Sequence, residues 1–201
     1  MGRALYITQN IIGSKEFHNA AYESPKWTGC SLRKFLNIEF FGRLPQNVKE
    51  RTLSVRNANP DNPEYGTSGG EPTSDRIFLL SIEEASFYFL NNDDRITIDE
   101  EKPSSWWWLR SPGGLDYTAA GIGIDGSIAV GGYNVLDTEG GIRPALWLSL
   151  YAEVTSGESF ESAQYISQKV ASDNEATGTL ATSPRFSIPA SSCSYDEAIP
   201  F

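Results

Sequence analysis

Residues 104–148 read SSWWWLRSPGGLDYTAAGIGIDGSIAVGGYNVLDTEGGIRPALWL, and this stretch decides the fold. Three consecutive tryptophans open it, and a Gly-Gly-Ile-Arg-Pro-Ala-Leu-Trp segment closes it. No other part of the sequence combines large rings and glycines at this density. The stretch predicts strands at 106–110 and 142–148, on either side of a glycine-rich hairpin.

The dipeptide Asp125-Gly126 is a strong signal for the turn of that hairpin. A two-residue turn would set Ile122 opposite an alanine. A three-residue loop with a left-handed Gly126 sets Ile122 opposite Ile128 and Ala120 opposite Val130. The second register gathers the large apolar side chains on one face and is the one we predict. The flanking strands are predicted at 119–124 and 127–133.

Outside this stretch, apolar side chains recur at helical spacing after Ser31, whose hydroxyl suits an N-cap. Ser81 and Glu84 form the capping box of another helix, which ends near Leu90. Short strands are predicted at 4–8, 52–56 and 76–80, and a short helix at 45–51. Polar surface loops are predicted at 57–75 and 91–105. A loop as long as 57–75 is uncommon unless it is functional or disordered.

The composition indicates one domain with an extension. The chain has 201 residues, 39% of them hydrophobic and 12% aromatic, which is enough for a sizeable core. We assign residues 1–150 to the domain and residues 151–201, which are rich in Ser and Ala, to a C-terminal arm. The net charge of −10 argues against nucleic-acid binding, and no apolar run is long enough for membrane insertion. With no signal peptide visible, the expected location is cytoplasmic, virion-borne, or within a fragment of an exported protein.

Few residues suit catalysis or metal binding. The single histidine, His18, is expected at the surface and excludes His-based triads and multi-His zinc sites. Cys30 and Cys193 form either one long-range disulfide or two free thiols. The oxygen-rich run Asn91–Asp94 suits either a calcium site or ordinary acidic caps. We predict no catalytic residue, no metal and no cofactor.

Four motifs carry a resemblance when taken together and in order. They are Lys26-Trp27-Thr28 with the helix CSLRKFLN at 30–37, then DRIFLLS at 75–81 with Glu84-Ala85, then WWLRSPG at 107–113, and GIRPALW at 141–147. They resemble a large, uncharacterised family of bacterial domains, over about residues 3–150. That family is similar to the C-type-lectin-like fold, which formylglycine-generating-type enzymes and the variable ligand-binding proteins of diversity-generating retroelements also share.

The resemblance implies an α+β fold of the C-type-lectin-like type. Two helices would pack on a small, twisted, mostly antiparallel sheet, followed by the C-terminal arm. The family's first strand has no counterpart before Ala4, and residues 185–189 or a partner chain are expected to supply that edge. Neither cysteine matches the paired active-site cysteines of the formylglycine-generating enzymes. The enzyme reading of the fold therefore lacks its catalytic groups.

The resemblance also implies that the loops beside the closing strands form a binding face. Tyrosine, asparagine and aspartate combine ring area with adaptable hydrogen bonding, as binding loops require. The predicted ligand-binding residues are Trp106, Trp108, Asp116, Tyr117, Tyr133, Asn134 and Asp137, with Thr138 beside them. The predicted structural framework is Trp27, Trp107, Arg110, Arg143 and Trp147, and the two arginines are expected to bond backbone carbonyls or carboxylates.

The function predicted from these observations is a non-catalytic module that binds a protein or glycan surface. It would be a variable receptor-binding protein of a phage or of a bacterial cell surface. The alternative is a structural or assembly protein, a homo-oligomer whose C-terminal arm docks on a neighbouring subunit. An enzyme of the formylglycine-generating type is the third and weakest reading, because it would need a reactive Cys30.

Overall fold

The computed structural model describes residues 2–20, 26–97 and 105–151. Within these ranges the chain is a mixed α/β domain with small antiparallel sheets and a few short helices. Apart from Tyr151, the predicted arm lies outside the described residues, as do Cys193 and the edge segment expected at 185–189. Among the described residues, the strand Arg3–Ile7 pairs only with the closing strand Ala145–Ser149.

The hairpin and the tryptophan strand form one three-stranded sheet. Its strands are β4 (Trp107–Pro112), β5 (Thr118–Ile122) and β6 (Ile128–Asn134). Ile122 lies opposite Ile128, and Gly126 has a φ of 75°, so the predicted turn is confirmed. The register then shifts between Ala119 and Gly121, in the interval where the predicted pairing of Ala120 with Val130 would fall. A bulge was not foreseen there.

The closing strand β7 (Ala145–Ser149) pairs with β1 (Arg3–Ile7), which confirms the predicted strand near the N-terminus. Pro144 lies just before β7, where its missing N–H breaks no ladder bond. Beyond the paired residues, the amide of Leu150 donates to the carbonyl of Gly2 (3.0 Å). The first and last residues of the described domain therefore lie side by side.

The segment predicted as a strand at 76–80 is an extended connection instead. Only Phe78 forms a bridge, exchanging two hydrogen bonds with Ala145 (3.0 and 2.7 Å). The polar loop before it contains an unpredicted strand, β3 (Thr73–Asp75), which pairs with β2 (Val55–Asn57). β2 overlaps the strand predicted at 52–56. Apolar content and turn residues did not reveal β3 or the pairing, because each strand has only three residues.

Within the described ranges, one helix with a π-helical turn and three short helices accompany the strands. The first comprises α1 (Ser31–Phe35), a π-helical turn (Leu36–Phe40) and α2 (Phe41–Arg43). The others are α3 (Gln46–Arg51), α4 (Ile82–Tyr88) and α5 (Asn92–Arg95). The predicted capping box at α4 is present, with Ser81 and Glu84 bonding each other's backbone amides.

The cap of α1 is one residue earlier than predicted. Ser31 is already helical, and Cys30 is the N-cap, its sulfur accepting from the amide of Arg33 at 3.3 Å. The Ser31 hydroxyl lies 3.0 Å from His18 Nδ1 and donates to the side chain of Asn19 (2.7 Å). His18 is buried, so its predicted surface position was wrong.

A single hydrophobic cluster joins these elements. Its largest fully buried side chains are Trp27, Trp107, Trp108, Phe17 and Phe78. The Phe17 ring lies between those of Trp27 and Trp108, at centroid distances of 6.1 and 5.5 Å in tilted geometry. Such ring pairs add about 1 kcal/mol each to the free energy of area burial. The core therefore fixes β4 against the helical side of the domain.

Candidate ligand-binding surface

The turn between β4 and β5 presents three residues to solvent. Its base is closed by Thr118, whose hydroxyl donates to the carbonyl of Leu115 (2.9 Å) and accepts from its amide (3.0 Å). Leu115, Asp116 and Tyr117 lie at the tip, and the two apolar side chains are 53% and 54% exposed. Because the turn is hydrogen-bonded at its base, these side chains project from a fixed backbone.

Asn62, which is buried, attaches the long loop 58–72 to the same sheet. Its Nδ2 donates to the carbonyls of Pro112 (2.8 Å) and Val130 (2.9 Å), which belong to β4 and β6. Its Oδ1 accepts from the amides of Glu64 and Tyr65 (both 3.0 Å). One side chain thus shapes a turn and fastens it across two strands, with Tyr65 near the tip.

Tyr65 lies directly on glycine backbone of the sheet. A Cβ built on Gly114 would come within 3.1 Å of the Tyr65 ring, and one on Gly131 within 3.4 Å of its hydroxyl. Glycine at 114 therefore allows the close approach of the ring. Tyr65, which is 53% exposed, is adjacent to the Leu115–Tyr117 tip. We call Tyr65, Leu115, Asp116 and Tyr117 the tyrosine surface.

Sequence reasoning missed Tyr65 as a candidate. The loop was recognised as unusually long, and Tyr65 is its only aromatic residue. That isolated ring in a polar loop was the available signal. Its position depends on Asn62 and on two glycines more than forty residues away in the chain, which no local pattern indicates.

Residues 133–138, which include other predicted ligand-binding residues, meet the turn between β4 and β5. Thr118 pairs with Asn134, and the amide of Val135 donates to the carbonyl of Tyr117 (3.0 Å). The Asn134 side chain accepts from the amide of Leu136 and that of Asp137 from the amide of Glu139. Both side chains therefore shape local turns beside the tyrosine surface. Thr138 is exposed and Asp137 is half-buried.

Tyr133 and Trp106 are half-buried and stack on each other, with centroids 4.1 Å apart and planes 26° apart. Burial raises the pKa of the Tyr133 phenol, and the Asp125 carboxylate raises it further. Trp106 also meets the ring of Trp108 edge-on at 4.6 Å. The Trp106–Tyr133 stack thus closes the edge of the core and leaves part of each ring open to solvent.

Trp108 differs from its predicted role. It is fully buried, and its Nε1 donates to the carbonyl of Lys15 (2.8 Å). The side chains of a strand alternate between faces, so Trp106 and Trp108 share one face and Trp107 occupies the other. Core packing covers Trp108 and leaves the ring no ligand face. We therefore remove it from the predicted ligand contacts.

Trp27 and Asp75 anchor a polar cluster around a buried carboxylate. The Asp75 carboxylate, in a residue 1% exposed, accepts from Trp27 Nε1 (3.0 Å) and pairs with Arg33 Nε (2.6 Å). It also accepts from Asn57 (3.1 Å) and from the hydroxyl of Thr73 (2.6 Å). We call these five residues the Asp75 cluster. Four donors to one buried carboxylate satisfy both of its oxygens.

Arg110 is likewise buried, and its two terminal nitrogens bond on two sides while its Nε has no hydrogen-bond partner within the described part of the chain. It forms a bidentate pair with Glu84 and donates to the carbonyls of Leu79 (2.8 Å) and Ala58 (3.0 Å). Because Glu84 is also the capping-box residue of α4, this pair connects β4 to the start of that helix. The carbonyl of Ala58 brings in the beginning of the long loop.

Arg143 has a different environment. Its Nε donates to the carbonyl of Thr8 (2.7 Å), and its guanidinium lies 5.0 Å from the ring centroids of both Phe89 and Trp107. Burial lowers its pKa to about 10. Trp107 is fully buried and donates from Nε1 to the carbonyl of Arg95 (3.1 Å). Trp147 is half-buried under the guanidinium of Arg3, at 4.6 Å.

The remaining chemistry is sparse in the part of the chain that the structure describes. Burial raises the pKa of the free Cys30 thiol to about 12, which disfavours the reactive thiolate. Asn91 caps α5 by accepting from the amide of Asp94 (3.0 Å). Within the described ranges, no group of three His, Cys, Asp or Glu residues is placed to hold a metal ion. No helix there is long and apolar enough to cross a membrane.

A family model described as a domain of unknown function (DUF6273) matches residues 1–150. The chain belongs to the DUF6273 family. The match includes every residue of the tyrosine surface and of the Asp75 cluster, so both are parts of the DUF6273 domain. No curated protein and no solved structure matches the chain.

Proposed function

We propose that this DUF6273 domain is a non-catalytic binding module for a protein or glycan surface. The observation that carries the proposal is the tyrosine surface, where two exposed rings and an exposed leucine stand on hydrogen-bonded backbone. Tyr65 and Tyr117 leave more than half of each side chain open to solvent. An exposed apolar group held in this way is typical of an interaction site.

The physical advantage of this arrangement is preorganisation. A tyrosine offers a large contact area and a hydroxyl while losing the freedom of only two side-chain torsions on binding. Asn62 and Thr118 already fix the two turns through hydrogen bonds to backbone. A ligand therefore orders little new structure when it binds, which favours affinity. Trp106 and Tyr133 extend the ring area at the border of the surface, with Asn134 and Asp137 in the turns beside it.

We further propose that the domain has the C-type-lectin-like fold and resembles the variable proteins of diversity-generating retroelements on phage or bacterial surfaces. The order of helices, tryptophan strand, hairpin and closing strand supports this, as do the loops gathered at one end of the sheet. Sister sequences should then vary at Tyr65, Asp116 and Tyr117 while keeping Trp107 and Arg143. If sister sequences were equally invariant at both groups of positions, the proposal of a variable protein would fail.

The direct test is a glycan and protein binding screen with the full chain, repeated with Tyr117→Ala. Tyr117 is preferable to Tyr133 because removing Tyr133 would also break its stack with Trp106. The matched control is Tyr151→Ala, since Tyr151 is 64% exposed and lies outside the tyrosine surface. We expect hits to lose about tenfold in affinity in the first variant and to persist in the second. Hits unaffected by Tyr117→Ala would refute this surface as the binding site.

A second candidate function is assembly, with residues 151–201 docking on a neighbouring copy. A separate group of exposed apolar side chains favours it. Phe87 is 61% exposed, Tyr88 42% and Leu90 89%, at the end of α4 and just after it. Sedimentation of the full chain and of its Leu90→Ser variant tests this proposal. A monomeric wild-type chain at working concentration would exclude assembly.

A further inference from the structure

Each exposed tyrosine of the binding surface has a carboxylate beside it. Glu64 precedes Tyr65, and Asp116 precedes Tyr117. Both acids are exposed. In the described parts of the chain, neither acid forms a salt bridge with a basic side chain. The two tyrosines and the two acids that precede them are therefore all open to solvent.

The two chain segments that carry this surface have acids as their only charged residues. Residues 58–72 and 111–142 contain no Lys, Arg or His. They contain seven acids, Asp61, Glu64, Glu71, Asp116, Asp125, Asp137 and Glu139. The two arginines that flank the second segment, Arg110 and Arg143, are buried. These acidic segments favour a positively charged partner, and the exposed Lys26 packs against Gly70 at the far end of the long loop.

We infer that the tyrosine surface binds a cationic polypeptide segment that carries arginine or lysine side chains. This inference rests on the proposed binding function and names its partner. A guanidinium lying over a tyrosine face gains a cation–π attraction. The same group donates charge-assisted hydrogen bonds to a neighbouring carboxylate. The pairs Glu64–Tyr65 and Asp116–Tyr117 each offer both interactions to one arginine.

The charge also decides against other partners. A nucleic acid, a phosphorylated peptide or a sulfated or sialylated glycan would bring negative charge to this surface and be repelled. A neutral glycan would gain ring contact but would leave Glu64 and Asp116 without a cation. A basic polypeptide matches both features and would be steered to the site by the long-range field.

The test measures fluorescence anisotropy of labelled peptides with the full chain. The probes are a peptide of alternating Arg and Gly, and equal-length peptides with Gln or Glu in place of Arg. We expect only the Arg peptide to bind. Its affinity should fall as salt rises from about 0.05 to about 0.5 M, because exposed charges are screened. Equal binding of the Gln or Glu peptide, or no binding of the Arg peptide, would overturn the inference.

Matched variants separate this site from general attraction to an acidic protein. The double variant Glu64→Gln/Asp116→Asn should weaken Arg-peptide binding by about threefold to tenfold. The control Glu39→Gln/Glu50→Gln removes the same charge from exposed helical positions and should change binding less than twofold. Equal weakening in the control would mean that net charge alone attracts the peptide, and the inference would fail.

Failure of this inference is distinguishable from failure of the proposed function. If the binding screen finds a neutral or acidic ligand that is lost in Tyr117→Ala, the tyrosine surface binds but the cationic partner is wrong. If neither the screen nor the Arg peptide gives binding that depends on Tyr117, both proposals fail. Circular dichroism of each variant checks that the fold is retained.

Discussion

The Asp75 cluster and the tyrosine surface invert the usual placement of polar and apolar groups. In the first, a carboxylate lies inside the domain and accepts four hydrogen bonds. In the second, two rings and a leucine lie outside, on a backbone that is itself hydrogen-bonded. Both arrangements are costly unless something compensates: in the cluster the four donors do so, and at the surface a ligand would.

This difference separates the residues that hold the domain from those available for binding. Substitution in the Asp75 cluster leaves buried donors without an acceptor, so its effect is on folding. Substitution in the tyrosine surface removes little buried area, so its effect is on recognition. Asn62 belongs to both groups, because it is buried and also positions Tyr65.

The largest expected effect is that of Asp75→Ala. It leaves three buried neutral donors and Arg33 Nε without their acceptor, while the Arg33 guanidinium keeps its bonds to two backbone carbonyls. The free energy of unfolding should fall by about 3–5 kcal/mol in a urea titration. Ser74→Ala, an exposed neighbour on β3, is the control and should change it by less than about 0.5 kcal/mol. A loss below about 1 kcal/mol for Asp75→Ala would remove the cluster from the framework.

Asn62→Ala should have the next largest effect on stability. It removes two donor bonds to backbone carbonyls and the acceptor of two amides, and should lower the free energy of unfolding by about 2 kcal/mol. It should also weaken ligand binding, because Tyr65 loses its support. Asn134→Ala removes a single exposed turn bond and should be nearly neutral. Unchanged binding in a folded Asn62→Ala protein would show that Tyr65 does not need the hydrogen bonds of Asn62.

The Cys30 thiol gives a pH-dependent test within the framework. Burial raises its pKa from 9.0 to about 12, so the folded state favours the neutral thiol. That contribution to stability is complete below pH 9 and is lost as the pH rises towards 12. The free energy of unfolding of the wild type should therefore fall faster with rising pH than that of Cys30→Ala, by up to about 1.4 kcal/mol per pH unit. Parallel pH profiles would contradict the burial of the thiol.

The smallest effect on stability is expected for Tyr117→Ala. The side chain is 54% exposed, so the free energy of unfolding should change by less than about 0.5 kcal/mol while ligand affinity falls about tenfold. Thermal melts beside the binding assay measure both. A stability loss above about 1 kcal/mol would place Tyr117 with the framework and erase the contrast with Asp75.

Local signals in the sequence predicted local structure well. The capping box at Ser81 and the turn at Gly126 each depend on residues within a few positions of one another, and both are present. The register that pairs Ile122 with Ile128 follows from which face must be buried. The bulge near Ala119 depends instead on the neighbouring strand, and the hydrophobic pattern does not contain it.

The binding surface was predicted in part. Asp116 and Tyr117 were identified from turn composition, and the structure places them at an exposed tip. Trp108 could not be distinguished from Trp106 by alternation, because both lie on one face. Tertiary packing, including that of Phe17, decides which ring is covered. The position of Tyr65 could not be predicted from local sequence for a related reason. It is set by contacts between segments far apart in the chain.

The bond from Leu150 to Gly2 has a practical consequence for constructing chimaeras. Because the two ends of the domain meet on β1 and β7, a short linker would join them, and the chain could be reopened at a surface loop. The same adjacency suits insertion of the whole domain into a loop of a host protein. The turns that carry Tyr65 and Tyr117 contain neither end, so they would be left intact by such a graft.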